Sequence, residues 1–109
     1  MRRGEVWTAS GGADYTGKPR PVVIIQDDRF DGTASITVCP FTTAPTDAPL
    51  FRPVIGPDPA NGLQAISRHM ADKVTTIPKA KLGVRIGRLA AEKTKQLDQV
   101  LLVFLRSYK

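Results

Sequence analysis

One histidine, one cysteine and 6% aromatic side chains are all that 109 residues hold of the groups most enzymes rely on. Each scarcity excludes something. Cys39 has no partner for an internal disulfide, and with His69 it supplies too few soft ligands for a structural zinc. Chemistry therefore falls to fixed charge and hydroxyl donors rather than to a triad or a metal. No apolar run approaches the roughly 20 residues of a membrane span. Met1-Arg2-Arg3 leads into Gly4-Glu5 and not into an apolar stretch, so no secretory signal is expected and a reducing cytoplasm is the compartment that fits. Repeats, low-complexity tracts and linkers are lacking too. One domain spanning residues 1–109 is expected, able to bury a modest core.

What is present is positive charge, unevenly spread. Residues 1–55 hold six basic and six acidic side chains, while residues 56–109 hold ten basic and four acidic, so the whole net charge of +6 lies in the second half. Such an excess suits a phosphate-bearing partner or an acidic protein segment. On charge alone, a solvated basic surface accounts for it equally well.

Short β-branched runs separated by turn residues dominate the chain. Glu5–Ala9 reads as a first strand, followed by a glycine-rich loop from Ser10 to Pro19. Pro21 to Gln26 is almost wholly apolar and reads as a strand buried on both faces. Ser35 to Cys39 alternates, and further strands are expected at Phe51–Ile55, Gln64–Ser67, Met70–Thr75 and Val84–Leu89. Pro78 to Leu82 has the form of one helical turn with proline at its favoured first position. From about Ala90 to Ser107 the period changes. Leu97, Val100, Leu101, Phe104 and Leu105 mark one helical face, and Leu102 with Val103 widens it beyond what one packing surface needs. Many short strands before one helix predict a strongly bent sheet or small barrel, and the wide helix face points to a dimer.

Two stretches carry candidate chemistry. In Lys18-Pro19-Arg20-Pro21, prolines restrict the backbone on both sides of an arginine at the start of the buried strand. Its guanidinium is always charged and offers five donors in a planar fork, suited to a phosphate or to the extra charge on a pentacoordinate phosphorus. The plainer reading is a surface ion pair with Asp27, Asp28 or Asp31. In Pro40-Phe41-Thr42-Thr43, the hydroxyls close another strand, either as donors to a phosphoryl oxygen or as turn caps. His69 titrates near neutrality but in a strand-like segment reads as structural. The three aspartates resemble oxygen ligands of a divalent ion, though a connecting turn has the same spacing. Trp7 reads as core, and Tyr15 in the glycine loop as a base-stacking candidate.

Taken together these residues resemble a known family. Arg3-Gly4-Glu5-Val6-Trp7 is similar to the opening of MazF/PemK-type toxins. Gly17-Lys18-Pro19-Arg20-Pro21-Val22-Val23-Ile24 resembles that family's arginine-proline strand, and Val38-Cys39-Pro40-Phe41-Thr42-Thr43 its second motif. Ala71 to Ile77 resembles a later segment, and Gly87-Arg88-Leu89 before the last helix also fits. The match runs in order from Arg3 to the final helix. It implies a mainly β fold, a small SH3-like β-barrel of the CcdB/MazF kind with a C-terminal α-helix, built as a homodimer. It implies the toxin of a type II toxin–antitoxin pair, a metal-independent endoribonuclease on single-stranded RNA that needs no cofactor. The family's catalytic arginine and threonine fall on Arg20 and Thr42, with Tyr15, Lys18, Thr43, Arg68 and Lys73 as RNA-binding candidates. The family's glutamine in the later segment is replaced by Lys73, and the loop before Arg20 departs from the common pattern.

The chemistry so implied has the ribose 2′-hydroxyl attack the adjacent phosphate, leaving a 2′,3′-cyclic phosphate and a 5′-hydroxyl. The partner implied beside RNA is an antitoxin with an acidic, disordered inhibitory segment. Two other readings stay open at this point: a CcdB-like toxin that acts by binding a protein target such as gyrase, and a basic SH3-like module that binds nucleic acid without cutting it.

Overall fold

Strand β2 (Arg20–Ile24) sits near the middle of an antiparallel sheet because its apolar side chains alternate between two cores. Val23 faces a cluster with Val6, Cys39, Phe41, Leu97 and Leu101, whereas Val22 and Ile24 face a second cluster with Ala9, Ile36 and Val38. A strand with both faces covered has no polar side, which is why its run is continuous. The computed structural model describes residues 1–10, 18–45 and 47–106. In it β1 (Glu5–Ala9) pairs with β2 and with β7 (Leu82–Arg88), and β2 pairs with β3 (Ser35–Thr42). The order continues through β5 (Ser67–His69) to β4 (Val54–Ile55), while β6 (Thr75–Pro78) pairs with the first half of β3. This is a mainly β half-barrel carrying one C-terminal helix, the expected class.

β3 changes partner along its length. Ser35 to Val38 pair with β6, and Phe41 and Thr42 pair with β5. Pro40 lies at the changeover. It has no N–H to give a ladder, and its carbonyl accepts from Met70 N–H at 2.9 Å. The missing donor thus falls where the sheet splits, and the Met70 carbonyl accepts from Lys73 N–H at 2.9 Å.

Helix α1 (Ala91–Leu105) buries Leu97 and Leu101 against the first cluster, each worth about 2 kcal/mol by removal from water. Arg3 anchors it from the far end of the chain, donating to the Ile25 carbonyl and the Asp98 carboxylate. The helix ends at Arg106, a left-handed residue whose N–H caps the last carbonyls. Leu102, Val103, Phe104 and Leu105 stay 42–58% exposed, so the wide apolar face is only partly covered within one chain.

Three expected strands are corrected. Between Phe51 and Ile55 only Val54–Ile55 is extended, because Ala48 O accepts from both Phe51 N–H and Arg52 N–H and curls the start into a turn. Gln64–Ala65–Ile66 is not a strand; β5 begins at Ser67 and runs to His69. Met70–Thr75 is broken by a 3₁₀ turn at Ala71–Lys73, closed by Lys73 N–H to Met70 O, so β6 starts only at Thr75. The turn expected at Pro78–Leu82 is present as a 3₁₀ turn at Lys79–Lys81.

One loop is held unusually firmly. Asn61 is fully buried; its Oδ1 accepts from Leu63 N–H at 2.9 Å and its Nδ2 donates to Gly56 O at 3.0 Å. Gly62 follows at φ +73°, and a Cβ there would lie 2.1 Å from Ile86 O. Gly87 seats the same loop from β7, where a Cβ would lie 2.4 Å from Asn61 O. Backbone cannot retreat as a side chain can, so Gly87→Ala is expected to destabilise the fold by about 3 kcal/mol. A thermal melt checks this, with Gly56→Ala, in open space, as the harmless comparison.

Candidate active site

The β2–β3 register decides which side chains meet. Val22 is opposite Pro40, Val23 opposite Cys39 and Ile24 opposite Val38. The ladder ends at Val22 and Pro40, and Arg20 and Thr42 lie two residues beyond it on their own strands. Both then share the face of Val22 and Pro40, since alternate residues of a strand lie on one side. Arg20 and Thr42 indeed line one open pocket of about 470 Å³, together with Pro40, Phe41, Met70, Lys73 and Thr75.

The pocket is electropositive by construction. Arg20 and Lys73 bring two cations, and its described lining includes no carboxylate. The nearest acid in sequence, Asp72, is drawn away by Arg52, which donates Nε and an Nη to its two oxygens at 3.0 and 2.9 Å. That pairing holds the Asp72 carboxyl below the usual carboxylate range, so it stays ionised and engaged. In the connecting turn Asp27 meets Arg29, Asp28 meets Arg2, and Asp31 meets Lys79. These pairs hold it together.

Thr42 both caps and keeps a donor. Its hydroxyl oxygen accepts from Ala44 N–H at 3.2 Å, which orients it, while its own proton remains to be given. The capping and the donor readings of this residue are therefore compatible.

The other sequence candidates spread outward from this pocket. Lys18 is exposed two residues before Arg20. Thr43 turns to the opposite side and lines a neighbouring hollow. Arg68 is opposite Thr42 in the β3–β5 pair, yet its side chain lines a third hollow with Pro45, Asp47, Pro49, Arg52 and Val54. Tyr15 lies outside the described residues. Met70 and Thr75 line the pocket without having been singled out from sequence; they arrive through the split of β3, which no local pattern announces.

His69 is structural in its packing. It is buried, its ring lies 4.7 Å from that of Phe41, and its Nδ1 has no hydrogen-bond partner. Burial pushes its pKa down to about 4, so it is neutral at pH 7. Cys39 is likewise buried, its thiol pushed up to about 12 by the same cause.

The fold and this pocket define a class of small basic β proteins with a cationic site at the strand ends, and comparison with known proteins gives the family. Residues 2–105 match the model of the PemK-like, MazF-like toxins of type II toxin–antitoxin systems, and the chain belongs to that family. It is 60% identical over 105 residues to the probable endoribonuclease MazF of Mycolicibacterium smegmatis, covering 96% of each chain. Among solved structures it resembles the Mycobacterium tuberculosis toxin MazF-mt6, with a TM-score of 0.76, 26% identity and coverage of 94% of this chain and 96% of that one. It also has the fold of a mycobacterial endoribonuclease in complex with its cognate antitoxin, at TM-score 0.79 and 21% identity, covering 100% and 98%.

The buried His69 gives the fold a distinct acid response. Its folded pKa of about 4 lies below the unfolded value near 6.5. The unfolded state therefore binds more protons between those values, and stability falls as pH drops from about 6.5 to 4. The loss approaches 3 kcal/mol at the lower end. Melting temperature measured from pH 7 to 5, where most carboxylates are still ionised, is expected to decline in the native chain. His69→Phe is expected to flatten that slope.

Proposed function

We propose that this MazF-type endoribonuclease toxin cuts single-stranded RNA without a metal, with Arg20 and Thr42 as its catalytic residues. The observation that supports this most is that Arg20, Thr42 and Lys73 line one open pocket at the ends of β2 and β3. The names of the relatives point the same way.

In this reading the ribose 2′-oxygen attacks the neighbouring phosphorus and the bond from phosphorus to the 5′-oxygen breaks. The 2′-oxygen loses its proton and the departing 5′-oxygen gains one, so the products are a 2′,3′-cyclic phosphate and a 5′-hydroxyl. RNA supplies its own nucleophile, so no activated water is consumed. Arg20 faces the charge that builds on the phosphoryl oxygens and the leaving oxygen. Thr42, oriented by Ala44 N–H, donates to one phosphoryl oxygen. Lys73 adds attraction for the polyanion, and Lys18, Thr43, Arg68 and Tyr15 extend the RNA track. Holding the 2′-oxygen in line with the leaving oxygen supplies much of the rate gain.

Three further parts belong to this reading. The chain works in the cytoplasm; no helix among the described residues is long and apolar enough to cross a membrane. It acts as a homodimer, using the exposed apolar residues Leu102 to Leu105. It is held in check by an antitoxin whose acidic, disordered segment orders along the same basic surface as RNA.

Arg20→Ala is expected to lower cleavage of a single-stranded RNA in EDTA by a hundredfold or more, about 3–4 kcal/mol, with the melt unchanged. Thr42→Val is expected to impair cleavage more than Thr43→Val. Near-native cutting by Arg20→Ala would remove Arg20 from the chemistry. For the assembly, sedimentation at micromolar concentration is expected to give a dimer, and a monomer would contradict that part alone.

A further inference from the structure

A second hollow of about 430 Å³ lies across the strand ends from the Arg20 pocket. The two share a wall. Arg20 and Thr42 line the first, while their chain neighbours Pro19, Pro21 and Thr43 line the second, because successive residues point to opposite sides. The far side of the second hollow is made by Leu63, Gln64 and Ile86.

Its chemistry is selective. Pro19, Pro21, Leu63 and Ile86 give apolar sides. Two of its hydroxyls each hold one backbone partner: Thr8 accepts from Val84 N–H at 2.9 Å, and Ser67 donates to Ala65 O at 2.9 Å. The Gln64 carboxamide and the Thr43 hydroxyl are the lining's side-chain polar groups without a hydrogen-bond partner among the described residues, and they leave all their donors and acceptors to a ligand. A carboxamide presents a donor beside an acceptor, the pattern that reads the edge of a nucleobase.

The hollow is also preformed. Gln64 follows the loop fixed by buried Asn61 and by Gly62, whose backbone meets Ile86 too closely for any side chain. A reading group on a rigid loop loses little freedom on binding. Proteins that recognise single-stranded RNA splay unstacked bases into such places, apolar on the faces and polar at one edge.

We propose that this hollow is a nucleobase subsite, which takes the base of a nucleotide adjacent to the cleaved phosphate and reads its edge through Gln64. The inference rests on the ribonuclease reading above. It makes Gln64 a specificity-determining residue on the opposite side of the strand ends from Arg20 and Thr42.

The test compares the native chain with Gln64→Leu and Ala65→Leu on a pool of randomised single-stranded RNA in EDTA, sequencing the new 5′-hydroxyl ends. Both positions are exposed, so either variant carries the test if the other fails to fold, which a melt reports. Gln64→Leu is expected to weaken base preference at one position beside the cut on the order of tenfold, with the other positions unchanged. Ala65→Leu, which narrows the hollow, is expected to shift that same position toward the smaller pyrimidines. If the native chain cuts and both folded variants keep its preference at every position, or slow equally on all sequences, the subsite is wrong and the ribonuclease stands. A native chain that cuts no RNA overturns the ribonuclease reading and this inference with it.

Discussion

The pairing of β2 with β3 is the constraint on which the rest of the molecule depends. It sets both core clusters, and just beyond its last pair Arg20 and Thr42 line one pocket. A slip of one residue would turn the apolar set of one strand to the wrong core and separate the arginine from the threonine. The register is pinned beyond its last ladder pair. Ile25 N–H reaches Thr37 O at 3.2 Å, and Thr37 N–H reaches the Gln26 side chain at 3.1 Å. Both contacts keep the alignment of the pairs above them, so the buried half of the hairpin holds the open half in place.

A second theme is where the acids go. The chain has ten carboxylate side chains and sixteen basic ones. Glu5 is buried and faces Arg85 and Arg88, Asp72 is held by Arg52, and Asp31 by Lys79. Burial alone would raise the Glu5 carboxyl. The backbone N–H of Arg2, the indole of Trp7 and the charge of Arg85 outweigh it, leaving the group below its ordinary value. Structural pairs thus take up acids that would otherwise dilute the positive pocket. The exposed pairs among them contribute little to stability; their larger effect is on the field that a polyanion meets.

Much of this was legible in the chain. β1, the buried character of β2, the alternation opening β3 and the extent of the helix followed from periodicity, and the 3₁₀ turn after Pro78 followed from proline placement. The misread segments share a cause. Phe51, Gln64 and Met70 stand in short stretches bent by particular backbone partners: the Ala48 carbonyl just before Phe51, the Pro40 carbonyl that takes Met70 N–H, and the Asn61 loop with its seat on Gly87. Local pattern carries no record of such partners. For the pocket, Arg20 and Thr42 could be singled out by their proline-bounded positions, and Lys73 by the family resemblance. Met70 and Thr75 enter the lining only because β3 exchanges one neighbour for another at Pro40, a three-dimensional event.

The clasp made by Arg3 sets an order of events during folding. Its guanidinium binds Asp98, and β1 pairs with β7 more than seventy residues later. Contacts of such long sequence separation close late. The opening strand therefore stays paired on one side only, with β2, until β7 closes on its other edge. A sheet whose first strand pairs with its seventh is complete only once β7 has folded back onto β1.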